Sequence, residues 1–186
     1  MENARRKPAA GPKQIDFDIA ALFDALDSQR LRRGLSWHGA AKHLWVQSAE
    51  LNARRNDHPI SAATLKGMAT RGDTTCQHAL FMLRWLGRAP ETFVPGPAAC
   101  ATRAALPVAG SDRRLRWDLA RLHEALDSRR RERNLTWTQL AWDLQCTPSQ
   151  LTGIRRARFA IGMRLAMRIV LWLGGPARDF IYAAEW

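Results

Sequence analysis

The residues best equipped for chemistry lie in TPSQLTGIRRAR, residues 147–158. This stretch offers the hydroxyls of Thr147, Ser149 and Thr152, the carboxamide of Gln150 and the guanidiniums of Arg155, Arg156 and Arg158. A few residues upstream, Thr136, Thr138 and Gln139 add two hydroxyls and a second carboxamide. A poorer set recurs at 61–71, where Ser61, Ala63, Thr64, Lys66 and Arg71 are available. Short hydroxyl and amide side chains read base edges, and arginines hold phosphates, so this is the chemistry of reversible binding to a polyanion. Bond-making chemistry has no comparable support. There is no Gly-rich phosphate loop, no GxSxG and no HExxH. Cys76 and His78, with His43 and His58 elsewhere, lack the tight paired spacing of a zinc site, so neither a metal nor another cofactor is expected. Asp24 and Asp27 are matched by Glu124 and Asp127 on a repeated helix, which fits a structural role better than paired-carboxylate catalysis. The chain is not expected to be an enzyme.

These residues are positioned by a unit that occurs twice. Residues 25–37 read ALDSQRLRRGLSW and residues 125–137 read ALDSRRRERNLTW, a register of 100. A second echo, RWLGRAPETFV at 84–94 and LWLGGPARDFI at 171–181, has a register of only 87, so copy 1 carries 13 extra residues (100 minus 87) in its middle. The chain divides into a basic arm at 1–14, copy 1 at 15–94, a Pro/Ala-rich linker at 95–112 and copy 2 at 113–186. Each copy is near the lower limit for a self-supporting core, so the two are expected to lean on one another.

Within copy 1, helix 1 is expected over about 16–33, with Ile19, Leu22 and Leu26 inward and Gly34 as its stop. Copy 2 offers Leu115, Leu119, Leu122 and Leu126 on the same face, with Asn134 at the stop. The Arg clusters at 30–33 and 129–133 either complement the helix dipole or reach phosphates. Ser36 and Thr136 cap helix 2, and in copy 2 Gln139 completes a capping box. A turn leads to a third helix, capped by Thr147, with Pro148 in its first turn, Gln150 closing another box, and Leu151 and Ile154 inward. In copy 1, Ser61 caps the corresponding helix and Leu65 and Met68 point in. The segment 45–60 reads as an elongated helix 2 plus a loop. It has three open roles: holding Arg54, Arg55 and His58 near a DNA backbone, binding a partner, or packing between the copies. Helix 4 of copy 1, capped by Asp73 or Thr74, is apolar on nearly every side. It should therefore be covered by the other copy or by a second chain, whether through self-association or a protein partner. In copy 2, helix 4 spans about 161–173 and a short last turn follows at 177–183.

A helix, a three-residue turn and a short capped helix with a polar outer face are what a helix-turn-helix requires. LTWTQLAWDLQCTPSQLTGIRR resembles the lambda-repressor-like (Cro/cI, XRE) helix-turn-helix family through Leu135, Thr136, Leu140, Ala141, Thr147, Leu151, Thr152 and Ile154. Trp137 stands where that family often has a phosphate-contacting Gln, Arg155 replaces its usual Glu and Ala157 its usual Gly. The resemblance implies an all-α fold of two tandem four-to-five-helix domains and a regulator of transcription that binds double-stranded DNA. Two recognition helices in one chain would read sites about 34 Å apart without a strict palindrome. The alternative is an interaction module in which copy 1 binds a protein and only copy 2 contacts DNA.

Charge agrees with a polyanionic partner. The net charge is +12, distributed as +3 in the arm, +2 in copy 1, zero in the linker and +7 in copy 2. The arm is either a solvated tail or a minor-groove follower. Three scattered cysteines, the lack of an apolar leader and the lack of a long apolar run together suggest a cytoplasmic, nucleoid-associated protein without a membrane partner. Trp37/Trp137 and Trp85/Trp172 recur in both copies, which favours core packing over base stacking.

Overall fold

Asp18 and Asp118 decide where the first helix of each half begins. Each side chain accepts an N–H from three residues ahead, at 2.9 Å from Ala21 and Arg121, so the helices start one residue later. In the computed structural model, which describes residues 15–97, 103–155 and 161–185, helix α1 is Ile19–Arg32, α2 Trp37–Val46, α3 Ala49–Ala53, α4 Ala62–Arg71 and α5 Cys76–Leu86, followed by a 3-10 turn at Pro90–Phe93. After strand β1 (Arg114–Trp117) come α6 Leu119–Glu132, α7 Trp137–Asp143, α8 Pro148–Ile154, α9 Met163–Leu173, a 3-10 turn at Ala177–Phe180 and strand β2 (Ile181–Ala184). None of these helices is long and apolar enough to cross a membrane.

The protein is mainly helical, not wholly so. Leu115 falls at helical spacing from Leu119, but the Asp118 cap ends the helix short of it. Residues 114–117 stay extended and pair antiparallel with 181–184, Trp117 opposite Ile181. The last turn expected over 177–183 is therefore a 3-10 turn and a strand. The elongated second helix of copy 1 is also interrupted. Ser48 (φ −124°, ψ 44°) breaks it, is buried, and donates to the Arg113 carbonyl at 2.7 Å. The cap of α5 is Thr75, beyond both Asp73 and Thr74. Gly34 and Asn134 stop α1 and α6 in the left-handed conformation, φ 63° and 53°.

The two halves share one core. Its cluster takes Leu22, Leu26, Leu44, Leu65, Met68, Leu80 and Met82 from the first half, and Trp117, Leu122, Leu140, Leu151, Met167 and Val170 from the second. The apolar α5 is covered inside the chain, by β1, α9, α1 and α2, and so is not left open for self-association or a protein partner. The junction has its own symmetry. Thr75 and Gly162 form an antiparallel bridge, flanked by Cys76 N–H to Ile161 O (2.9 Å) and Met163 N–H to Thr74 O (2.7 Å). Residues 75 and 162 are 87 apart, the register of the second repeat, so each half meets its own counterpart, as in a two-fold dimer.

The segment expected as a linker is tied down where it is described. The Arg84 guanidinium donates to the carbonyls of Gln47, Ala109, Gly110 and Arg113 at 2.7–3.1 Å. Of the three roles open to the insertion, packing between the halves is the one its contacts fill. Asp57 accepts from Arg114, whose side chain is only 4% exposed and also lies over Trp45 and donates to Asn52. Hydrogen bonds from Arg114 first, and then Arg55, hold the Asp57 carboxyl below its ordinary range. Its contribution to stability is therefore complete above the unfolded value of about 3.9 and is lost as pH falls through the lower folded value. Asp57→Asn is expected to cost about 2 kcal/mol at pH 7, less than a wholly buried pair because Asp57 is 32% exposed. It should also flatten the fall in stability as pH drops below about 4. Urea unfolding at several pH values checks both effects.

Candidate nucleic-acid interface

The helix α7, the turn 144–146 and the helix α8 set out the polar residues of copy 2. Leu140, Ala141, Leu144, Leu151 and Ile154 are buried, and this fixes the opposite side outward. Thr136, Thr138, Gln139, Thr147, Ser149, Gln150, Thr152 and Arg155 are all exposed. Arg156 and Arg158 lie outside the described residues. Two capping boxes hold the helix starts. Thr136 N–H donates to Gln139 Oε1 and Thr147 N–H to Gln150 Oε1, each at 2.8 Å. Both glutamines thus have their carbonyl oxygen engaged and their NH2 turned elsewhere. The Thr152 hydroxyl donates back to the Pro148 carbonyl at 3.2 Å, which leaves it chiefly an acceptor. Thr138 and Ser149 are the less encumbered hydroxyls, though Ser149 Oγ lies 3.0 Å from Thr147 Oγ1.

In copy 1, α2 packs on α4 in the same way. Ser61 Oγ accepts the Thr64 N–H at 3.1 Å and lies 2.9 Å from the Thr64 hydroxyl. Ala63 and Lys66 are exposed. Arg71 is exposed too, but its side chain is folded onto its own helix. It lies back along α4 over Gly67, where a Cβ would collide with its guanidinium, and donates to the Thr64 carbonyl at 3.3 Å.

The repeated Arg clusters are partly consumed by structure. Arg30 pairs with Asp27 at 2.6 Å, donates to the Leu35 carbonyl and lies 4.6 Å over Trp37; Arg130 does the same with Asp127, Leu135 and Trp137. Arg33 and Arg133 cover Trp85 and Trp172 at 5.0 and 4.6 Å. The hydrogen bond from Arg130 draws the Asp127 carboxyl down. These contacts account for the repeated ALDS stretch and its recurring tryptophans as a clasp between the first and second helices. His123 is buried against Trp137, ring centroids 5.5 Å apart. Phe23 occupies the matching place on Trp37. Burial pushes the Cys76 thiol up to about 12 and the Cys146 thiol to about 11, so neither is a ready thiolate.

Two features went unread in the sequence. Trp142 is 70% exposed on α7, one turn beyond Thr138, and Lys42 stands at its place in copy 1. Its failure to recur, unlike the core tryptophans, was the available signal. Asp73 is the other. Its carboxylate accepts from the N–H groups of Thr74 (2.8 Å) and Arg164 (3.4 Å) and lines a hollow with Ser149, Gln150 and Gly153 of α8. The matching hollow in copy 1 is lined by Ala63, Thr64, Arg71, Thr74, Thr75 and His78. The two hollows flank the Thr75–Gly162 bridge, one carrying an acid and the other two bases. In comparisons with known proteins, no family model, no curated protein and no solved structure matches the chain.

Proposed function

We propose that this chain is a sequence-specific duplex-DNA-binding regulator of transcription, built as two tandem lambda-repressor-like units whose recognition helices are α4 and α8. The observation that carries the reading is the repeated pair of packed, capped helices. In each half a buried apolar stripe turns a short capped helix so that its small polar side chains face solvent. The junction adds support, because counterpart residues pair across it and the two units are held as the halves of a dimer are held. The charge of +12 supplies the sequence-independent attraction.

In the competing reading, copy 1 has turned α4 to a protein partner. The character of that helix favours DNA. Among the described residues, the large exposed apolar side chains are Ile15, Leu31, Val46, Val108, Trp142 and Tyr182, and none is on α4. Lys66 and Arg71 give its surface a positive sign.

The shared core decides how to test this. Isolated halves would expose the junction, so the full chain is the proper reagent. Selection of bound duplexes from a random library should enrich a site with two related half-sites at fixed spacing, and its affinity should fall steeply with salt. Enrichment of nothing beyond the input library at low salt would sink the reading.

A further inference from the structure

Glu91 stands in the 3-10 turn Pro90–Phe93, which closes the first half, yet its side chain serves the second. The residue is 1% exposed. Its Oε1 accepts the Ala177 N–H at 2.6 Å, from the turn Ala177–Phe180 that closes the second half. Among the described residues, no group of the protein donates to Oε2, which is buried as deeply. An ionised carboxylate there has one oxygen without a partner, whereas the neutral acid leaves only a hydroxyl unpaired. A buried unpaired charge is much the costlier of the two. The contact is not a relic of the repeat. The register of 87 puts Arg178, an exposed residue, at the place matching Glu91, and matches Ala177 with Pro90, which has no N–H. The reciprocal bond has neither donor nor acceptor, so the contact is made once, from copy 1 to copy 2.

We propose that Glu91 is a proton-operated latch on the junction: its neutral carboxyl holds the two closing turns together, and its ionisation parts them. The charged groups that face it are Arg103, from the segment between the halves, and Asp179, from the second turn, one of each sign. Asp18 and Asp118, at the helix starts beside the turns, are occupied as caps, and Arg88 lies over Phe93, 5.9 Å from its ring. Each turn is tied to its own first helix, through Asp18 N–H to Phe93 O (2.7 Å) and Asp118 N–H to Phe180 O (2.8 Å), so parting the turns loosens both halves where they meet. Burial pushes the Glu91 carboxyl above its ordinary range. The N–H groups of Ala177 and of Glu91 itself, with Arg103, bring it only partly back, and Asp179 adds to the rise. The contribution of Glu91 to stability is therefore complete below the unfolded value of about 4.3 and is lost as pH rises through the raised folded value. This is opposite in sign to that of Asp57, so the junction joins one acid that must be ionised to one that must be neutral.

The test uses the full chain from about pH 4 to about pH 8. NMR follows the Glu91 carboxyl carbon and the exchange of the Ala177 amide, corrected for its intrinsic rate. The carboxyl should titrate above the ordinary glutamate range. The opening equilibrium at Ala177 should rise about tenfold per pH unit between the unfolded value and that midpoint, then level off, as linkage to one proton requires. Glu91→Gln keeps an acceptor for the Ala177 N–H and cannot ionise. Its Ala177 opening should be flat over the same window, and its urea midpoint should exceed that of the parent at about pH 8 and converge on it toward about pH 4. Two substitutions at exposed positions leave Glu91 in place and move its midpoint in opposite directions. Asp179→Asn should lower it and Arg103→Ala should raise it, with the Ala177 opening following in both. An Ala177 amide whose opening ignores pH, or responds equally in Glu91→Gln, overturns the latch, as does a Glu91 carboxyl that titrates in the ordinary range. None of these readouts involves a duplex, so the latch stands or falls apart from the proposed DNA binding.

Discussion

Replacing Trp117 with alanine is expected to lower the stability of the entire chain by about 3–5 kcal/mol, within a single unfolding transition. Trp117 belongs to the second half by sequence but is buried against the first. It stands on β1, which packs on α5, and its indole N–H donates to the Cys76 carbonyl at 3.2 Å. Beside it, Gln77 of α5 donates to the Leu115 carbonyl at 2.8 Å. Truncation would open a cavity where the two repeats meet, so neither half would keep its own stability. Trp117→Phe keeps most of the packing and loses the indole hydrogen bond, and should cost about 1–2 kcal/mol. Urea unfolding followed by far-UV circular dichroism and by tryptophan fluorescence makes the check. Two separate transitions, with one unmoved by Trp117→Ala, would show that the shared core is not cooperative.

The same junction explains what could and could not be read along the chain. Local chemistry was legible. Thr136 with Gln139 and Thr147 with Gln150 carry their capping boxes in four-residue words, Gly34 and Asn134 mark their stops, and the repeat doubles each signal. Features that depend on the other half were not. Leu115 keeps helical spacing, yet becomes a strand residue because 181–184 is there to pair with it. The break at Ser48 depends on Arg113 and Arg84, 65 and 36 residues away. The site shows the same division. The outward face of α8 follows from Leu151 and Ile154, but the hollow lined by Thr74 and His78 exists only because α4 and the start of α5 converge. Arg71 has helical spacing for an outward position, and only the absence of a side chain at Gly67 lets it lie down.

The charge difference between the copies carries less meaning than its size suggests. Arg168 pairs with Asp16 through both oxygens, at 2.6 and 2.7 Å, Arg164 adds a third contact, and Arg114 pairs with Asp57. Three arginines of copy 2 thus neutralise two aspartates of copy 1 inside the molecule. Arg129, Arg130 and Arg131 are engaged with Glu132 and Asp127. What remains for a polyanion is set by position, and Arg155 is well placed. It is exposed at the end of α8, and Arg156 follows it in sequence. Under the DNA reading, Arg155→Ala with Arg156→Ala should weaken duplex binding about tenfold to a hundredfold at low salt, or about 1.4–2.8 kcal/mol. It should also lower the salt slope by about two, because each phosphate contact contributes close to one. Lys66→Ala, a single flexible cation on the exposed side of α4, should cost less than about threefold and change the slope by at most one. Arg155 and Lys66 are exposed, and unfolding midpoints measured beside the affinities across a salt series isolate binding from folding. A larger loss from Lys66→Ala than from the arginine pair would place the main phosphate contacts on α4 and reverse the assignment of the dominant reading helix.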